Sequence, residues 1–202
     1  MQGKVAVEEH FAIADTTDRS LRYQTDYWKG LQPRLLDLHD RRLAEMDRTG
    51  IEIEILSLNS NGVQSVLDAG KAAELARKAN DALADSIAKR PDRFAGFAAL
   101  PMQDPQAAAI EFERCVHDLK FKGALVNSFT QLGAADTAIY YDLPQYRPFW
   151  AVVERLGVPF YLHPRDPLPS RRHAYDGHPW LIASPWGFAE ETAMHALRLM
   201  GC

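Results

Sequence analysis

Along the chain, short apolar runs alternate with longer segments in which apolar residues recur every three to four positions, the pattern of strands followed by amphipathic helices. Five runs predict strands, over residues 4–9, 51–58, 94–100, 123–127 and 158–162, each rich in Val, Ile, Leu, Phe or Ala and bounded by polar or turn residues. Helical spacing predicts helices over 35–49, 71–89, 105–119 and 148–156, and a last one over 189–200. Within 71–89, Ala72, Leu75, Ala76, Ala79, Leu83 and Ile87 fall on one stripe. Asp104 precedes Pro105 as a capping carboxylate before a first-turn proline, and Gly50 and Gly157 stand where helices end. In the last helix Met194, Leu197 and Met200 read as core packing.

This alternation predicts an α/β fold built on a parallel sheet. Residues 11–33 and 164–186 read as long irregular stretches that leave the C-terminal ends of strands, where such folds place their binding loops. No repeat, low-complexity tract or linker divides the chain, so residues 1–202 are expected to form a single domain. Eight βα units need about 250 residues and five are visible, which leaves an open five-stranded sheet or the front portion of a (β/α)8 barrel.

The candidate chemistry sits at two strand ends. Val5-Ala6-Val7-Glu8-Glu9-His10 closes an apolar strand with acids and an imidazole, and the period-two geometry of a strand puts Glu8 and His10 on one face. Val158–His163 repeats the arrangement, with Pro164 holding His163 extended. Each motif alone is also what a polar strand end facing water looks like. Taken together at equivalent ends of parallel strands, Glu8, His10 and His163 make a carboxylate–imidazole set suited to one divalent ion, zinc or manganese.

Composition narrows the ligand rather than the fold. A net charge of -4 and a pI near 6.0, with no run of five basic residues, exclude the electrostatic footprint of nucleic-acid or anionic-membrane binding. The chain has no uninterrupted apolar stretch of about 18 residues, and Glu8 and Glu9 fall where a signal peptide needs apolar residues. Cys115 and Cys202 cannot form a disulfide framework, so a reducing cytoplasm and a small-molecule ligand are expected.

Glu8-x-His10 ending a first strand and His163 ending a fifth resemble the amidohydrolase superfamily. EEHF, AKRPDRFAGFAALPMQDP over 88–105, GALVNSF over 123–129, YYDLPQYRPFW over 140–150, FYLHPR over 160–165 and YDGHPW over 175–180 are similar to its hydroxybenzoate decarboxylase branch, in order along essentially the whole chain. The resemblance implies a (β/α)8 TIM-barrel type fold with about its first five βα units in this chain. It further implies one zinc or manganese ion and no organic cofactor, a small aromatic carboxylate as substrate, and a homo-oligomer, dimer or tetramer. The implied reaction is reversible nonoxidative decarboxylation of a hydroxybenzoate, such as 2,6-dihydroxybenzoate to resorcinol and carbon dioxide.

In that family a late aspartate completes the metal site and a histidine of the sixth strand takes part in catalysis. His173 and His178 fall in a loop and His195 in a helix, so the expected catalytic His and Asp lie beyond Cys202, and the proton donor is not assigned. Asn127, at the end of the fourth strand, Tyr23, in the first long loop, and Arg165 are candidates for contacting the substrate. Two other readings stay open: a metal-dependent hydrolase of the same superfamily, and an inactive truncated chain or partner subunit.

Overall fold

The computed structural model describes residues 3–17 and 26–202. Its strands are β1 (Lys4–Phe11), β2 (Ile51–Leu58), β3 (Phe94–Ala98), β4 (Gly123–Asn127) and β5 (Phe160–His163). All are parallel and lie in the order β1-β2-β3-β4-β5. Each strand therefore lies beside the one before it, joined by a helical crossover, and the natural twist accumulates in one sense. The sheet curls into a half-barrel whose two outer strands approach each other across its mouth.

The helices are α1 (Ala14–Thr17), α2 (Asp26–Leu36), α3 (Arg41–Thr49), α4 (Ala69–Lys89), α5 (Pro105–His117), α6 (Arg147–Leu156) and α7 (Gly187–Met200). The expected stripe of α4 is buried at Ala72, Leu75, Ala76, Ala79 and Leu83 and packs on Leu56, Ala98 and Leu100 of the sheet layer. Each fully buried Leu contributes about 1.5–3 kcal/mol over an exposed one. Asp68 caps α4 by accepting from the Lys71 N–H (2.8 Å), and Asp104 caps α5 through the N–H groups of Gln106 and Ala107. Gly50 and Gly157 end α3 and α6 in the left-handed conformation at φ 72° and 63°.

Three expectations need correction. The helix expected over 35–49 is two helices, because the Asp37 carboxylate accepts from the N–H groups of His39, Asp40 and Arg41 and starts a new one. The stretch 11–33, expected to be irregular, holds α1 and most of α2, with Gly30 and Pro33 accommodated inside α2. Met194, Leu197 and Met200 are exposed rather than core. The inward face of α7 is Gly187, Glu191 and His195 instead. Glu191 turns inward because Arg171 pairs with it at 2.8 Å, and His195 because its Nε2 accepts the Tyr141 N–H at 3.1 Å.

His195 has an acid-side consequence. Burial pushes its pKa down to about 4, against the opposing pull of Asp142, and its Nδ1 has no hydrogen-bond partner among the described residues. A folded-state pKa below the unfolded 6.5 means the unfolded chain takes up the proton first as pH falls. Stability should thus drop between about pH 6.5 and 4, by roughly 2–3 kcal/mol at pH 4.5 from this residue alone. Urea unfolding of wild type and His195→Gln at pH 7 and 4.5 checks it, the variant losing correspondingly less between the two. Equal losses in both chains would remove His195 from the account.

Candidate functional site

The curl of the sheet brings β1 against β5 at their C-terminal ends. Glu8 and His10 project from β1, two residues apart on one face, and meet His163, the last residue of β5. Their ligand atoms all lie within 4.8 Å of one another. His10 Nε2 is 3.1 Å from His163 Nε2, and His163 Nε2 is 3.6 Å from Glu8 Oε1. Two bonds of about 2.1 Å to a shared ion span up to about 4.2 Å, so both distances fit one small divalent cation.

Each of these side chains is held from behind. His10 Nδ1 lies 3.1 Å from Ser57 Oγ on β2, and His163 Nδ1 lies 2.9 Å from Asn127 Oδ1 on β4. The Tyr161 hydroxyl donates to Glu8 Oε2 across the mouth of the curl. Arg42 of α3 donates to the His10 carbonyl at 2.6 Å and pairs with buried Glu54 at 3.0 Å, clamping the end of β1. Burial, reinforced by the neighbouring His163, pushes the His10 pKa down to about 4, so the imidazole keeps a free lone pair at neutral pH. Tyr161 is pushed up to about 12, by burial first and then by Glu8, and remains an O–H donor.

The three groups open onto a cavity of about 550 Å³. Leu35, Pro164, Phe188 and Ala189 form an apolar wall, while Asn59, Ser60, Ser184 and Thr192 add neutral polar groups. Glu8, His10 and His163 are the titratable residues of that lining. The lining thus combines an apolar wall with one carboxylate and two imidazoles.

Of the substrate-contact candidates, Asn127 is buried behind His163 and bonded to it. Arg165 is 3% exposed; it donates to the Phe129 carbonyl (2.8 Å) and Gln131 Oε1 (2.7 Å) and stacks on the Phe129 ring at 4.1 Å. Neither is among the lining residues. Tyr23 lies outside the described residues. Sequence reasoning missed Ser57, Tyr161, Phe188 and Thr192. Ser57 carried a signal, as the hydroxyl in the otherwise apolar end of IEIEILSL, aligned with His10 once the strands are laid parallel. Phe188 and Thr192 carried none, because their approach depends on how α7 docks.

The amidohydrolase family model matches residues 21–201. The chain is 63% identical over 201 residues to a gamma-resorcylate decarboxylase of Rhizobium sp. and 59% identical over 204 residues to that of Rhodococcus jostii, in each case over 99% of this chain and 62% of the relative. A crystal structure of 2,6-dihydroxybenzoate decarboxylase with 2,6-dihydroxybenzoate superposes with a TM-score of 0.94 at 64% identity, covering 99% of this chain and 61% of that one. The dihydroxybenzoic acid decarboxylase of Polaromonas sp. JS666, solved with manganese and the inhibitor 2-nitroresorcinol, superposes at 0.95 with 56% identity, over 100% of this chain and 61% of its own. The chain thus spans about 62% of the length of the curated relatives it matches. Among the described residues, no helix is long and apolar enough to cross a membrane.

Proposed function

The chain belongs to the amidohydrolase family, and from that premise we propose that it carries the metal-holding part of a hydroxybenzoate decarboxylase, with Glu8, His10 and His163 binding one manganese or zinc ion. The observation that carries the reading is the meeting of a carboxylate and two imidazoles from opposite edges of the curled sheet, at the mouth of a cavity with an apolar wall. The reaction proposed is reversible loss of carbon dioxide from 2,6-dihydroxybenzoate to give resorcinol, with the described residues forming one domain. A divalent ion held there would act as a Lewis acid toward the substrate's carboxylate and ortho hydroxyl.

The residues of this chain then have separate tasks. Leu35, Phe188 and Ala189 bury the ring faces and exclude water, which strengthens every polar contact in the site. Asn59, Ser60, Ser184 and Thr192 offer neutral hydrogen bonds where ring hydroxyls would lie. Decarboxylation needs a proton delivered to the ring carbon that bears the carboxylate. The titratable groups of the lining are the three ligands themselves, so the described wall anchors charge and adds no separate acid.

Metal analysis together with product analysis tests this. The expected result is close to one manganese or zinc ion per chain, with resorcinol and carbon dioxide formed from 2,6-dihydroxybenzoate and formation abolished by a chelator. Chelator-sensitive hydrolysis of an aryl lactone in place of carbon dioxide release would move the assignment to the hydrolases of the same scaffold.

A further inference from the structure

We infer that Tyr140 and Asp142 are positioning residues that fix how α7 sits and so turn Phe188 and Thr192 into the cavity shared with Glu8, His10 and His163. The inference rests on the reading of that cavity as the ring pocket and names what sets its α7 wall.

The argument begins with the faces of α7. Glu191, His195 and Arg198 are spaced i, i+4 and i+7 and fall on one stripe. Phe188, Ala189 and Thr192, which line the cavity, occupy the adjoining stripe, while Met194, Leu197 and Met200 lie on the far side and are exposed. The helix is therefore docked largely through polar side chains, with Leu199 packing on the core beside them.

All three polar residues meet the segment 140–142. The Tyr140 hydroxyl donates to Glu191 Oε2 at 3.4 Å, its ring meets the His195 ring edge to face with centroids 5.0 Å apart, and the Arg198 guanidinium lies over it at 4.6 Å. The Tyr141 N–H donates to His195 Nε2 at 3.1 Å. Asp142 accepts from Arg198 Nε and Nη2, each at 2.8 Å. The segment is itself anchored: the Tyr141 hydroxyl is 2.7 Å from Thr130 Oγ1, and the Trp150 indole N–H donates to the Tyr141 carbonyl at 2.7 Å.

Tyr140 thus touches one residue on each successive turn of α7, and the two-pronged Arg198–Asp142 pair fixes angle as well as distance. A roll of the helix about its axis breaks these contacts, and it carries the adjoining stripe, with Phe188 and Thr192, out of the cavity. A wall held in place beforehand does not have to be ordered when a ring binds, which favours affinity. The Asp142 and Arg198 side chains are 15% and 37% exposed, and such a pair adds little global stability. Its loss should appear in ligand binding rather than in unfolding.

The test uses the full chain with Mn²⁺, titrated with 2,6-dihydroxybenzoate, beside a separate Mn²⁺ titration and urea unfolding. A ligand-free readout is added: iodoacetamide alkylation of Thr192→Cys in a Cys202→Ser background, where Cys115 is buried. Arg198→Met and Asp142→Asn are each expected to weaken 2,6-dihydroxybenzoate binding by about tenfold and to speed alkylation at position 192 by about tenfold, with Mn²⁺ affinity within about threefold of wild type. Arg198→Lys, which keeps the charge, should recover part of both. Leu197→Ala, on the exposed face, should leave all readouts unchanged. Unchanged acid affinity and alkylation in Arg198→Met and Asp142→Asn overturns the inference, as does an equal fall in acid and Mn²⁺ affinity or an effect of the same size in Leu197→Ala. A wild-type chain that holds Mn²⁺ but does not bind 2,6-dihydroxybenzoate sinks the ring-pocket reading instead, and the alkylation rates still decide what orients α7.

Discussion

Exchanging His163 for alanine is expected to weaken divalent-metal binding by at least about 100-fold, since loss of an outer partner of a ligand costs 10–100-fold and here the ligand itself is removed. His163 is the one member of the set that β5 supplies, so without it Glu8 and His10 remain as two ligands of a single strand. The change also leaves Asn127 Oδ1 without its imidazole in a buried position, which should lower the stability of the metal-free chain by about 1–3 kcal/mol. The two effects are separable: Mn²⁺ titration reads the first and urea unfolding without metal reads the second. His173→Ala serves as the control, because His173 is exposed in the turn Pro169–Tyr175 and, among the described residues, bonds only locally, to the Ser170 carbonyl. A His163→Ala chain that binds Mn²⁺ within about threefold of wild type would remove β5 from the metal site.

What made the site legible from sequence was the strand period. Glu8 and His10 two apart at the end of an apolar run, and His163 at the end of another, are local signals, and parallel strands carry such ends to one rim. The partners were less legible because they depend on register between strands. Asn127 was visible as a polar strand end and was read as a substrate contact, yet its placement opposite His163 gives it the imidazole as partner. Arg165 stood out as a cation beside the site, but the fold packs its guanidinium on Phe129 and into the loop carbonyls.

The fold divided along the same line. Strands β2 and β4 match the expected bounds; α4 begins two residues before the expected start, where Asp68 caps it, and α5 begins as expected behind its Asp104 cap but ends two residues early, at His117. Helix α7 was placed correctly but assigned the wrong face. Its inward residues Glu191 and His195 are polar and are bonded by Arg171, Tyr140 and Tyr141, partners that only the tertiary structure brings near. A hydropathy stripe reports what water would reject; it does not report a polar side chain whose partner is elsewhere in the chain.

The second large effect is expected at Gly123, far from the cavity. A methyl group on its Cα would sit 2.3 Å from the Pro159 carbonyl oxygen and 3.1 Å from Phe97 Cε1, so the strands cannot keep their spacing. That carbonyl accepts the Ala124 N–H at 3.0 Å, the first rung of the β4–β5 ladder that ends at Asn127 and His163. Relief requires β5 to retreat by about 1 Å, and overpacking of this kind costs about 1–3 kcal/mol or more. The retreat carries His163 away from His10, with which it is in 3.1 Å contact, so Mn²⁺ affinity should fall as well, by about 10-fold or more. Gly30→Ala is the matched control: among the described residues nothing lies within 4 Å of its added methyl and the residue is inside α2, so stability should rise by about 0.5–1 kcal/mol with metal binding unchanged. Paired urea unfolding and Mn²⁺ titration of both variants reads the outcome. A Gly123→Ala chain as stable as wild type would mean that β4 and β5 are not in the close contact that sets the mouth of the half-barrel. A stability loss with Mn²⁺ affinity intact would mean instead that His163 is held by Asn127 and Pro164 independently of where its strand begins.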